Sequence, residues 1–240
     1  MIVCIDRMND INGYTKLQKL IGYDFRDSDI LIRALSHSSY VNELKLNKHE
    51  DYERCEFLGD AVLELLVSEY LFNENPHMRE GEMTKLRASL VCEPTLANCA
   101  REGFELDRFL LLGKGEDASG GRNRDSIVSD VFEAIIGAIY LDGGIEPAKA
   151  FVKRFVLTDY DKKIDFCDSK TILQEYAQNH NMKLVYELIE ERGPAHDRDY
   201  VMRATLDDRI SETGIAKSKK AAEQHAAYAI LDKHLKGYGD

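Results

Sequence analysis

The hydrophobic rhythm of this chain changes once, and that change divides what it can fold into. From residue 14 to about residue 160, apolar side chains recur at helical spacing, as in Leu17, Leu20 and Ile21, then Ile30, Leu31, Ala34 and Leu35. From Lys183 the pattern alternates instead, over Lys183 to Glu190 and Tyr200 to Leu206, with a weaker run from Ile210 to Ile215. A helix capped by Ser169 precedes these strands and carries Leu173, Tyr176 and Ala177. An alanine-rich helix from Ser218 to Leu235 follows them. The fold class expected is therefore two domains, an all-α domain followed by an α+β domain of order α-β-β-β-α. The boundaries expected are 14–145 for the first, 146–167 for a terminal helix and linker (its charged part Tyr160 to Asp168), and 168–237 for the second. Tyr176, Leu188, Ala222, Ala226 and Ala229 are assigned to the second core.

The first chemical signal lies in the long apolar segment Glu53 to Phe72, which Asn75-Pro76 ends. At about 100° per residue, Glu53, Glu56 and Asp60 fall within roughly 60° of one another on a helix. Phe57, Leu58, Ala61, Val62, Leu63, Leu65, Leu66 and Val67 surround them, so this helix is expected to be apolar on nearly all sides and buried. A second helical run holds Asp130 and Glu133, the only charges between Ile127 and Leu141, three positions apart on one face. Carboxylates on buried helices lose hydration and repel one another. Either a divalent cation with hard oxygen ligation or ion pairs with Arg54, Arg87 or Arg122 would compensate them. Glu64 passes the same geometric test as Asp60 and is assigned to solvent or to a local pair.

Gly113 to Gly121 is rich in glycine but lacks a Gly-Lys-Ser/Thr ending and follows no strand, which sets a nucleotide loop aside. A mobile loop presenting Arg122 and Arg124 to phosphates is expected instead. The net charge of −11 argues against a generally basic nucleic-acid binder. The acidic excess, however, belongs to the first part: residues 169–240 hold 11 Lys and Arg against 12 Asp and Glu. There, Lys217, Lys219 and Lys220 are clustered, and clustering is what a phosphate senses within a Debye length. The five cysteines, Cys4, Cys55, Cys92, Cys99 and Cys167, are odd in number and show no Cys-x-x-Cys spacing. Reduced thiols and no zinc site are expected. No apolar run is long enough to span a membrane, and Met1 to Asp10 does not read as a secretory signal, so a cytoplasmic protein is expected.

These blocks together carry a resemblance. Tyr52 to Leu63 resembles the signature helix of ribonuclease III, Asn-Glu-Arg-Leu-Glu-Phe-Leu-Gly-Asp, departing at Tyr52 and Cys55 only. Gly113 to Gly144 resembles that family's Gly-Gly-Arg loop leading into an Asp-x-x-Glu helix. Leu35 to Tyr40 resembles its His-x-Ser-Tyr element, and Arg79 to Met83 its Glu-Gly-x-Met turn. The second domain resembles a double-stranded-RNA-binding domain through Thr171 with Gln174-Glu175, through Gly193-Pro194-Ala195-His196, and through Lys217 to Gln224. Gly214 matches the first glycine of the loop before those lysines, and Ala216 replaces the second.

The resemblance implies a homodimeric endoribonuclease that cuts double-stranded RNA by magnesium-dependent hydrolysis, with manganese as a substitute. It implies a catalytic valley between subunits, 5′-phosphate and 3′-hydroxyl ends, short 3′ overhangs, and processing of ribosomal RNA precursors and other structured transcripts. Glu56, Asp60, Asp130 and Glu133 are the implied magnesium ligands, Asp60 and Glu133 also the implied catalytic pair, and Glu53 and Glu80 supporting acids. Apolar side chains on the Phe57 to Val67 helix exceed what one helical domain needs to pack, which independently favours a second copy. Thr171, Gln174, Glu175 and His196 are expected to read minor grooves, and Lys217, Lys219 and Lys220 to meet phosphates at a helix N-terminus. Two competing classes are a binding protein with an inactive nuclease domain and a small-molecule phosphohydrolase. The complete acid set argues against the first, and the C-terminal pattern against the second.

Overall fold

The computed structural model describes residues 13–158, 169–193, 198–216 and 218–235. The chain divides into two compact units, Met1–Thr158 and Asp159–Asp240. The segment expected as a linker, Tyr160 to Asp168, lies outside the described residues, as do His196 and Lys217.

The first unit is helical: α1 (residues 13–21), α2 (Ser28–Leu35), α3 (Ser38–Glu43), α4 (Glu53–Glu74), α5 (Glu80–Val91), α6 (Glu93–Phe104), α7 (Lys114–Ala118), α8 (Asp125–Gly143) and α9 (Ile145–Phe155). α8 is its axis. Its side chains from Ile127 to Ile139 are buried almost throughout, and α2, α4, α6 and α9 pack around it. Phe104 of α6, Phe132 of α8, and Phe151 and Phe155 of α9 form one aromatic cluster with ring centroids 4.8 to 6.0 Å apart. α9 thus belongs to this core. The chain end of α8 is tied back to the first turns of the unit: Asp142 accepts hydrogen bonds from the Tyr23 hydroxyl at 2.6 Å and the Arg26 and Asp27 amides at 2.9 and 3.0 Å.

α4 corrects one expectation. Val62, Leu63, Leu66, Val67 and Leu71 are buried against α8, but Phe57 is 81% exposed, Leu65 60% and Phe72 70%. The helix is therefore buried along one side only, and its length of apolar sequence covers two faces rather than one encircled core. The glycine-rich stretch is a second correction. It forms α7 and a 3₁₀ turn over Gly121–Asn123 rather than an open loop. Ion pairs inside it, Arg122 to Asp117 at 2.8 Å and Arg124 to Glu116 at 2.6 Å, hold the arginines locally. Cys55 and Cys99 are buried free thiols, as expected.

The second unit has the expected order: α10 (Ser169–Asn179), β1 (Leu184–Arg192), β2 (Asp199–Leu206), β3 (Ile210–Ala216) and α11 (Lys219–His234). The strands form one antiparallel sheet in the order β1-β2-β3. Leu173 and Ala177 of α10, Ala204 and Leu206 of β2, and Ala226, Ala227 and Ile230 of α11 make its core. Gly214 allows α11 to lie this close to β3, since a Cβ there would stand 2.2 Å from the Ala222 carbonyl oxygen. Ala222 and Ala226 are buried as assigned, but Leu188 is exposed. A register shift between Leu188 and Glu190 bends the end of β1, and pairing parity along the strand no longer predicts the inward face there.

Candidate active site

α4 and α8 cross at two glycines. A Cβ on Gly59 would lie 1.8 Å from the Glu133 carbonyl oxygen, and one on Gly137 2.2 Å from the Cys55 carbonyl oxygen. Any side chain at either position would hold the helices apart. Backbone contact at this crossing sets Glu56, three residues before Gly59 on α4, and Asp60, the residue after it, beside Asp130 and Glu133 on α8.

The four carboxyls feel one another. Loss of hydration pushes Glu133 up to about 8, with repulsion from Asp60, Asp130 and Glu56 adding to it. Glu56 is raised by burial first and then by Asp130, Glu53 and Asp60. Asp60, at the open edge of the group, is raised by partial desolvation and by Glu64. Asp130 is raised by burial, against which a hydrogen bond from Tyr52 and the nearby His37 work. The Tyr52 hydroxyl donates to Asp130 Oδ2 at 3.2 Å.

Neither Tyr52 nor His37 was singled out by sequence as a site residue. His37 lay within a motif, but Tyr52 appeared only as a departure from one, and spacing gives no sign that residues 52 and 130 meet.

The counter-charge is not arginine. Among the described residues no ion pair reaches any of the four acids; Arg87 donates to Ser68 Oγ at 2.9 Å, and Arg122 is held by Asp117. Glu53 is exposed at the edge of the group. Glu80 stands apart on α5, where it accepts a hydrogen bond from Thr84 Oγ1 at 3.0 Å. Among the described residues, no three His, Cys, Asp or Glu side chains close into a cage able to hold an ion by themselves. Acceptor-only oxygens, raised pKa values and, among the described residues, no ion pair to lysine or arginine nonetheless fit a hard divalent ion that keeps several of its waters and takes only part of its shell from protein.

In the second unit, Thr171, Gln174 and Glu175 lie exposed on one face of α10. Lys219 and Lys220 are exposed in the first turn of α11, where Ser218 caps the helix by accepting the Ala221 amide at 3.2 Å. The two helices are fixed side by side: Lys170 pairs with Glu223 at 2.5 Å, and Ser169 Oγ donates to the Gln224 carbonyl at 3.2 Å. Lys219 also reaches Glu191 Oε1 at 3.5 Å, whose other oxygen takes Arg198 at 2.5 Å. α10 and the start of α11 are thus tied together within the second unit. Among the described residues no helix is long and apolar enough to cross a membrane.

Comparison with known proteins agrees with both units. A family model described as Ribonuclease-III-like matches residues 27–160, and one described as double-stranded RNA binding motif matches 169–234. The chain is 48% identical over 223 residues to "Ribonuclease 3" of Geobacillus sp. (strain WCH70), covering 92% of this chain and 90% of that protein. It is 49% identical over 224 residues to "Ribonuclease 3" of Bacillus cereus (strain AH187), covering 92% and 91%. Among solved structures, a nuclease domain of ribonuclease III from Campylobacter jejuni is similar at 42% identity and a TM-score of 0.56, over 61% of this chain and 97% of that one. That structure was described for flexibility in a region involved in dimer formation.

Proposed function

Because the chain belongs to the ribonuclease III family, and is an endoribonuclease of double-stranded RNA with a domain that binds it, we propose that Glu56, Asp60, Asp130 and Glu133 are the residues that carry the cleavage. The observation behind this reading is four mutually repelling carboxyls, without a cationic partner among the described residues, at a glycine crossing. They would hold magnesium, or manganese in its place. When bound, such an ion neutralises a phosphodiester, lowers the pKa of water and stabilises a leaving oxygenate. The chain's own part is to hold these acids at fixed spacing, where a bound ion would offset the burial and repulsion that disfavour their ionised forms, with Asp60 and Glu133 as the catalytic pair. Glu53 supports from the edge. Glu80, on a separate helix, would act on substrate or on neighbouring side chains. Hydrolysis by this route leaves a 5′-phosphate and a 3′-hydroxyl.

Binding is assigned to the second unit. Gln174, Glu175 and Thr171 would meet 2′-hydroxyls and base edges in a minor groove, with Lys219 and Lys220 against phosphates across the adjacent groove. Lys217 and His196 would extend this surface.

The cutting form would be a homodimer with two centres related by a twofold, giving staggered cuts and short 3′ overhangs. Phe57, Leu65 and Phe72, exposed along α4, support this reading, because large apolar side chains left in water along one helix are what a partner surface would cover. Its setting would be the cytoplasm, with structured transcripts such as ribosomal RNA precursors as substrates.

Long double-stranded RNA incubated with the protein, with and without magnesium, tests the activity: cleavage is expected only with the metal, and metal-independent cleavage would overturn it. Mixing wild type with Glu133→Gln tests the dimer. Exchanged heterodimers should release nicked duplex as a distinct product, and simple dilution of double-strand cleavage by a sedimenting monomer would refute the assembly.

A further inference from the structure

Position 52 is one of two places where this chain departs from the signature pattern, and the structure shows what that departure does. The residue is the N-cap of α4, a place where asparagine would ordinarily close the first turn through its side chain. Tyrosine cannot, and Tyr52 makes no side-chain cap bond. Its ring is turned inward instead, with the residue only 6% exposed. Its backbone amide donates to the Ser36 carbonyl at 2.9 Å, and its ring lies against His37 with centroids 5.8 Å apart. His37 is itself fixed. Its amide donates to the Leu111 carbonyl at 2.9 Å, its Nδ1 accepts the Ser39 amide at 3.1 Å, and Ser39 Oγ accepts the Gly113 amide at 2.9 Å. The phenol therefore has little freedom, and its hydroxyl ends on Asp130 Oδ2.

We propose that Tyr52 is a positioning residue for Asp130: its hydroxyl holds Oδ2 and so fixes the carboxylate that, with Glu56, Asp60 and Glu133, would hold the divalent ion. The inference rests on the metal-dependent reading of the site given above. Carboxylates that bind metals are themselves usually oriented by a hydrogen bond from outside the ligand set, and removing that partner weakens binding by about tenfold or more. Tyr52 is suited to the task because its ring is buried and lies against the fixed His37, so that its hydroxyl is delivered to Oδ2 in one orientation.

The test uses the full chain and titrates manganese, reading the free ion by electron paramagnetic resonance. Tyr52→Phe keeps the ring and its burial and removes only the donor. Its manganese dissociation constant should rise about tenfold, with the melting temperature and the RNA KM little changed, kcat reduced at limiting magnesium, and most of that loss recovered at saturation. Tyr52→Asn separates positioning from capping. Asparagine can close the first turn of α4 but is too short to reach Asp130, so manganese affinity should fall as in the Phe variant, while loss of the buried ring lowers the melting temperature as Tyr52→Phe does not. In an Asp130→Asn background, adding Tyr52→Phe should change manganese affinity no further. Wild-type affinity in Tyr52→Phe, or losses that simply add in the double variant, would overturn the proposal. A wild-type chain that binds manganese and cuts duplex RNA while the Tyr52 variants behave normally sinks this inference alone; a wild-type chain that does neither sinks the functional reading beneath it.

Discussion

At the scale of single residues the site is a problem in electrostatics. Glu133 is one of two charges between Ile127 and Leu141 on the most buried helix of its unit, and its carboxyl is pushed from 4.5 up to about 8. The folded chain therefore holds that proton more tightly than the unfolded chain does. The resulting penalty on folding is absent below about 4.5, grows as pH rises, and is complete above about 8. Without metal, the melting temperature of wild type should fall across that window relative to Glu133→Gln, and excess magnesium should remove the difference. A wild-type trend parallel to that of the variant would mean that Glu133 has no strained charge. The same substitution should abolish cleavage while leaving duplex binding nearly intact, because Thr171, Gln174, Lys219 and Lys220 lie in the other unit. A gel shift that disappears together with activity would refute the division of labour.

At the scale of elements, the spacing of acids along α4 and α8 is legible in sequence, but what brings the two helices together is a pair of glycines that no periodicity marks as special. Substituting Gly59 by Ala inserts a methyl where the Glu133 carbonyl already stands. It should cost about 3 kcal/mol or more in a urea melt and should lose cleavage by parting the carboxylates. Gly81 in the first turn of α5 is the control: nothing lies within 4 Å of its would-be Cβ, and Gly81→Ala should be neutral or stabilising by up to about 1 kcal/mol. Equal losses in both variants would show that helix propensity, not the crossing, governs the effect. The order of the second unit could be read from alternation because each strand shows one face to a single core. Leu188 escaped that logic at the bulge. The exposed side of α4 escaped it for another reason: an apolar residue facing a partner and one facing a core look the same in sequence. Arg122 and Arg124 were misjudged because the acids that hold them, Asp117 and Glu116, sit in the same short stretch and give no periodic signal.

At the scale of the whole molecule, chemistry and binding are separated along the chain, which explains how a protein of net charge −11 can seek a polyanion. The acidic surplus stays with the nuclease unit, and attraction is local to the α11 lysines. Those lysines are not equivalent. Lys219 shares its amine with Glu191, whereas Lys220 is exposed with no ion pair among the described residues. Substituting Lys220 by Ala should flatten the log–log salt dependence of duplex binding by roughly 0.7 to 0.9, and Lys219→Ala by less. Binding titrations from low to high salt would decide it, and an unchanged slope in both variants would reduce the cluster to a solvated helix end.

The contact at Gly59 and Gly137 also limits how this sequence can drift. What blocks a side chain at either position is main chain: the carbonyls of Glu133 and Cys55. Crowding by a side chain can be relieved by a smaller neighbour, but a carbonyl is present whatever residue bears it. No second-site substitution can make room, so a library randomised at these two positions and selected for cleavage should return glycine at both, with no compensating partner elsewhere. The acids around the crossing can be exchanged singly at the expense of activity; the crossing itself offers selection no intermediate step.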